Sequence, residues 1–176
     1  MSSTEEALEF AKENRHINSL TYQIPASELL DSWYATKILF SPYLGSSGAP
    51  AFPYQDEDAN LLYSDTIAAL LLGLPFPEPI VAEDLGGGRF SIVSGEQTMS
   101  TIIHYLGGML PKLIKRTLSD DVEIFPGLSD LEFGKLSEDQ KEELLRGVLV
   151  KVEMLDPYKP GMDSEDIAKF YGSYKN

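Results

Sequence analysis

The stretch from Ile80 to Leu106, IVAEDLGGGRFSIVSGEQTMSTIIHYL, narrows the possible folds more than any other part of this chain. Two β-branched runs flank a glycine-rich break, which predicts a hairpin: a strand at Ile80 to Glu83, a turn at Asp84 to Gly88 and a returning strand at Arg89 to Val93. The second run then stops at Ser94-Gly95, and an apolar rhythm of helical period begins at once. A helix is therefore expected from about Glu96 or Gln97 to Leu106, ended by Gly107-Gly108. Strand, tight turn and helix start form a layout that can hold phosphates, because the first N–H groups of a helix have no partner within it and point outward. The GGG at Gly86 to Gly88 is not a phosphate loop, since it precedes a strand and is not followed by Lys and a helix.

Elsewhere the chain alternates between short helices and strands. Residues 4–15 predict an amphipathic helix that Thr4 can cap, with Ala7, Leu8, Phe10 and Ala11 as its apolar stripe and acids in its first turn. A strand is expected at Ser19 to Pro25. A second helix opens at Ala26-Ser27 and carries Leu29, Leu30, Trp33 and Tyr34, with Trp33 read as a core residue. Ser41 to Pro53 is too rich in Gly, Pro and Ser for either regular structure and reads as a long loop. A strongly apolar helix follows, with Leu61, Leu62, Ile67, Leu70 and Leu71, and Gly73 ends it. PFPEP then forces an extended passage into the hairpin. Pro111 to Arg116 reads as a short helix. Ser119 to Glu143 is an acidic, turn-rich excursion that ends in a helix capped at Ser137; a strand follows at Val148 to Leu155, and a helical turn from about Ser164. Strands and helices without a regular βαβ alternation predict an α+β domain, a small mixed sheet with helices packed around it.

A chain of 176 residues, 43% of them hydrophobic, can bury one ordinary core, so a single domain is expected over residues 1–176. No window reaches the roughly 18–20 uninterrupted apolar residues of a membrane span, and the acidic start MSSTEEALEFAKEN does not resemble a signal peptide. The expectation is a soluble chain in the cytoplasm, the host's if the protein is viral, or in a virion. Zero cysteines exclude disulfides and thiolate metal sites, and two histidines, His16 and His104, leave little for zinc. No metal and no cofactor are expected. The net charge of −14 repels phosphate backbones. The one basic cluster, Lys112, Lys115 and Arg116, is explained by its place at a helix C-terminus, so direct DNA binding is not expected.

The order of these pieces resembles the N-terminal domain family of GmrSD-type restriction endonucleases, a ParB/sulfiredoxin-like fold. The likeness spans roughly Pro50 to Leu155, leaving 1–49 as a helical extension and 156–176 as a C-terminal segment. The family's P-Y-Q-R element corresponds to Pro53-Tyr54-Gln55-Asp56, its helix end to Ala69 through Pro79, and its D-G-Q-Q-R turn to Ser94-Gly95-Glu96-Gln97-Thr98. The later passage from Ile124 to Leu155 also follows the family's pattern. The resemblance implies nucleotide binding and hydrolysis in support of modified-DNA restriction, with Tyr54, Gln55, Gly95, Glu96 and Gln97 as the remnant of the nucleotide site. It also implies loss. Ser94 replaces the Asp, Glu96 the first Gln, Thr98 one Arg and Asp56 the other; Asn60 stands where an aromatic is expected. A third family element, F-x-R-x-N, falls near Phe170 to Asn176, where FYGSYKN keeps the Phe without the Arg.

Phosphate oxygens need an Arg fork or helix-start N–H donors. Replacing a cation by an acid reverses an interaction of about 4 kcal/mol at 4 Å and an effective dielectric near 20. Family members that cut DNA also carry a separate histidine-rich nuclease domain, so a chain pared down to the binding fold is the expectation here. The expected function is a noncatalytic ParB-like interaction module, viral or phage-derived, that binds a protein partner or a second copy of itself. Two alternatives stand beside it: a nucleotide-dependent DNA-defence domain using an NTP with Mg²⁺ in an altered pocket, and an acidic DNA mimic that occupies a nucleic-acid-binding protein. Nine Tyr and eight Phe also suit an assembly component. A serine nucleophile at Ser94 or Ser100 with His104 as base is the remaining reading; Ser100 and His104 have the spacing of one helix face, but no oxyanion element accompanies them.

Overall fold

The computed structural model describes residues 2–14, 19–40, 57–108, 127, 131–155, 165–166 and 169. Among them, α1 (Ser3–Asn14) is followed by β1 (Ser19–Pro25), α2 (Ala26–Tyr34) and β2 (Ile38–Phe40). Then come α3 (Glu57–Leu72), β3 (Ile80–Gly86), β4 (Arg89–Ser94) and α4 (Glu96–Leu106). A 3₁₀ turn (Phe133–Lys135), α5 (Glu138–Leu145) and β5 (Leu149–Leu155) complete the order. The strands form one five-stranded sheet in the order β1-β5-β3-β4-β2. β1 runs antiparallel to β5 and β3 to β4, whereas β5 is parallel to β3 and β2 to β4. This is a mixed α+β architecture.

Local chemistry explains most element ends. Ser2 caps α1 in place of Thr4: its hydroxyl accepts from Glu5 N–H and its own N–H reaches the Glu5 carboxylate at 2.9 Å. Ser137 and Gln140 make the same reciprocal box at the start of α5. The hairpin turn is tighter than the expected Asp84 to Gly88. β3 continues to Gly86, which pairs with Arg89, leaving Gly87 and Gly88 with φ of 64° and 75° as a two-residue turn. Two consecutive positive φ values match the twist of paired strands and explain the glycines. The expected loop at Ser41 to Pro53 and the helix at Pro111 to Arg116 lie outside the described residues.

The main core lies between one face of the sheet and the helices α2 to α5. Ile80, Ala82, Phe90, Ile92, Val150 and Val152 from the strands meet Leu29, Ile67, Leu70, Met99 and Ile102 from the helices. A smaller cluster of Val81, Val93 and Leu155 belongs to the opposite face. Trp33 is half-buried and set edge-on to Phe40, with ring centroids 5.7 Å apart. Residues 19–40 supply both edge strands of the sheet together with the buried Ala26, Leu29 and Ile38. The core thus continues across the boundary drawn near residue 50.

Candidate functional site

The turn from β4 into α4 is built by a bulge and a glycine. Val81 pairs with Ser94 while Ala82 pairs with Ile92, so Val93 is the extra residue on its strand. A bulge bends and twists the strand end, and here it directs the chain toward the sheet's helical face. Gly95 follows as the N-cap of α4 with φ 79° and ψ 30°. A Cβ at this position would meet the Pro79 carbonyl and come within 2.9 Å of Ile80 Cα. The turn is therefore pressed backbone to backbone against the end of the PFPEP segment, and two independent reasons require glycine.

One polar side chain of the turn is committed to holding it in place. The Thr98 hydroxyl donates to the Glu78 carbonyl at 2.7 Å, tying the first turn of α4 to PFPEP, and Thr98 is fully buried. Ser94 is buried as well. Glu96 and Gln97 are half-buried. Glu78, which reading the sequence did not single out, is half-buried on the neighbouring segment, and among the described residues its Oε2 is enclosed without a hydrogen bond. Two carboxylates thus flank the start of α4, and no side chain caps the helix. The nearest cation in sequence, Arg89, stands at the opposite end of β4, about 17 Å away for a strand rising ~3.4 Å per residue. The other proposed remnants, Tyr54 and Gln55, lie outside the described residues, as do Asp56 and the segment from Phe170 to Asn176.

A pocket of about 210 Å³ lies beside the turn, behind Pro79 and Ile80, walled by Leu70, Leu74, Phe76 and Leu149. It is mostly apolar and includes none of residues 94–98. A second cleft, of about 350 Å³, separates α2 from α5 over Phe133, where the Lys141 ammonium stands 5.4 Å from the ring centre. Among the described residues no three acidic, His or Cys side chains gather as a metal site, and no helix is long and apolar enough to cross a membrane.

The geometry of His104 decides the Ser–His reading. Its Nδ1 lies 2.7 Å from the Ser100 carbonyl and 3.3 Å from the Ser100 hydroxyl. A carbonyl only accepts, so Nδ1 carries the proton and cannot take one from the serine. The pair is a helix contact, with no activated nucleophile.

Burial pushes the phenols of Tyr63 and Tyr105 up to about 12. The Tyr105 ring packs on Phe133 with centroids 5.2 Å apart, and among the described residues its hydroxyl has no hydrogen-bond partner. A raised phenol contributes stability that is fully present below the unfolded value of ~10 and is lost as pH climbs through the folded value. The urea midpoint is therefore expected to fall between about pH 10 and 12, with Tyr105 contributing roughly 2–3 kcal/mol of the loss at ~1.4 kcal/mol per pH unit. Tyr105→Phe is expected to flatten that fall and to cost nothing at neutral pH, since it deletes an unbonded buried hydroxyl. An alkaline profile unchanged by the substitution would contradict this.

Compared with known proteins, the chain has no match: no family model, no curated protein and no solved structure matches it.

Proposed function

We propose that the chain is a noncatalytic ParB-like interaction module that binds a protein partner or a second copy of itself. The observation that carries this reading is how the polar groups at the start of α4 are used. Thr98, which stands where the resembled family has an Arg, is fully buried with its hydroxyl spent on a backbone carbonyl. Glu96 and Glu78 add negative charge where a triphosphate would need cations. The turn supports α4 through the contact of Gly95 with the backbone of Pro79 and Ile80 and through the Thr98–Glu78 hydrogen bond.

One feature favours a second reading, the nucleotide-dependent DNA-defence domain. The first N–H groups of α4 have no side-chain cap, and such groups bind anions. On that reading Gly95, Glu96 and Gln97 would line the pocket, with Tyr54 and Gln55 from the upstream element and a Mg²⁺ between carboxylate and phosphate. Calorimetric titration with a panel of nucleoside triphosphates in Mg²⁺ separates the two. No binding heat is expected. A heat that disappears in Glu96→Ala would overturn the interaction-module reading and favour the second.

A further inference from the structure

The sheet has a gap beside the PFPEP segment. β5 pairs with β1 along its whole length from Leu149, whereas its pairing with β3 starts only at Ile80–Val152. On the β3 side, Leu149 to Lys151 therefore have no strand alongside them. In an antiparallel ladder hydrogen-bonded and non-bonded pairs alternate. The Ala26 N–H donates to the Val148 carbonyl at 3.0 Å in the same register, so the backbone groups of Val150 and Val152 face β1, and those of Leu149 and Lys151 face the gap. Pro75, Pro77 and Pro79 bring no N–H to take the place of a strand. Among the described residues, no backbone hydrogen bond outside the ladders reaches the Lys151 N–H or the Leu149 carbonyl.

The pocket of about 210 Å³ occupies this gap. Its floor is buried, with Ala69 and Leu70 from the end of α3 and Ile80 from the start of β3. Its mouth is open at Leu74, 48% accessible, and Leu149, 39% accessible. Two opposite charges flank it. Lys151 and Glu153 both line the pocket, and as residues two apart on one strand they share a face, ~7 Å from each other. They do not neutralise one another: no ion pair joins them, and among the described residues none engages the Lys151 ammonium. Glu153 is held in position, because its Oε1 accepts from the Thr21 hydroxyl at 2.6 Å.

We propose that this pocket binds a free apolar α-amino acid. Its carboxylate meets the Lys151 ammonium and the Lys151 N–H, its ammonium meets the Glu153 carboxylate and the Leu149 carbonyl, and its side chain lies against Leu70, Leu74 and Phe76. Charge selects this ligand: a zwitterion carries one group for each of the two flanking charges, and each contact is a charge-assisted hydrogen bond. A peptide C-terminus would leave Glu153 facing a carboxylate, and an N-terminus would leave Lys151 unanswered. Size selects a single residue, since 210 Å³ lies below the ~300–1,000 Å³ of drug-sized sites. An apolar side chain is required because Lys151 and Glu153 are the only polar side chains that line the pocket, so a buried hydroxyl or amide would find no partner there. The pocket includes none of residues 94–98, so it stands beside either reading of the α4 turn.

Calorimetric titration of the full chain with L-leucine and L-phenylalanine tests this. A dissociation constant on the order of 0.1 mM is expected for so small a ligand, with L-serine bound about tenfold or more weakly for want of a side chain to bury. Analogues separate the two charges on the unmodified chain. N-acetyl-leucine lacks the ammonium and leucinamide the carboxylate, and each is expected to bind about tenfold or more weakly than leucine, the worth of one hydrogen bond to a charged group. Lys151→Met and Glu153→Gln are expected to weaken leucine by the same factor at an unchanged melting temperature. Lys151→Met is expected to leave leucinamide binding as it was, because that analogue has no carboxylate for the lysine to meet. The analogue series also serves if a variant fails to fold.

No binding of either amino acid up to ~10 mM, leucine bound no better than N-acetyl-leucine or leucinamide, or a leucine affinity unchanged in both variants would each overturn the proposal. A leucine-terminated peptide bound more tightly than leucine would make a protein terminus the occupant and overturn it as well. Nucleotide heat at Glu96 is a separate measurement, so this site and the interaction-module reading stand or fall independently.

Discussion

Gly95→Ala is expected to destabilise the fold by roughly 3–5 kcal/mol, the sum of a positive-φ penalty and the displacement of packed backbone. Both parts are visible in the geometry. At φ 79° an L-residue is strained whatever surrounds it. The added methyl would also press on the Pro79 carbonyl and on Ile80 Cα at 2.9 Å, which are backbone atoms at the entry to a central strand. They cannot swing aside as a flexible side chain would. Gly88 supplies the internal control: its φ is 75°, but a Cβ there meets nothing within 4 Å. Gly88→Ala should therefore cost only the conformational part, about 1–2 kcal/mol. Urea denaturation distinguishes the two, since a slope of ~1–3 kcal/mol per molar turns the difference into a midpoint shift on the order of 1 M. Equal shifts for both variants would mean that the Gly95 turn is not pressed against PFPEP. This test bears on function too, because a turn held by packing serves to position α4.

Leu29→Ala is expected to cost about 2–5 kcal/mol, the range for truncating a fully buried leucine. Leu29 is completely inaccessible and belongs to the main cluster with Ile102 and Val152. A helix merely appended to a domain beginning near residue 50 would lose under about 1 kcal/mol on the same substitution. Thermal or urea unfolding of the full chain therefore measures directly whether residues 19–40 belong to the core. A single cooperative transition moved as a whole is expected, and a separate early transition would show the segment unfolding by itself.

Local signals were the legible ones. β1 at Ser19–Pro25 and α4 at Glu96–Leu106 follow directly from a change in apolar period at a proline or glycine, and α5 from a Ser137–Gln140 cap. The α1 cap was misplaced because Ser2, Ser3 and Thr4 are chemically interchangeable caps, and only the Glu5 carboxylate, three residues after Ser2, selects among them. β2 gave too little signal: three residues, Ile38–Phe40, carry no pattern of their own and are a strand only because β4 lies alongside. The site divided in the same way. The strand–glycine–helix turn was readable as a shape. That Thr98 is tied to Glu78 could not be read, since a threonine early in a helix looks the same whether its hydroxyl meets solvent or a distant carbonyl.

The linear order of residues determined the α+β class and the position of nearly every helix and strand among the described residues. These rest on interactions that span a few residues. The tertiary structure alone decided that β1 pairs with β5 from the far end of the chain, that Val93 bulges, and that Gly95 rests on Pro79. It also decided which backbone groups of β5 face away from β1. The reason is that pairing register is set by contacts between residues far apart in sequence, and a shift of one residue would exchange every inward and outward group without altering a single local preference.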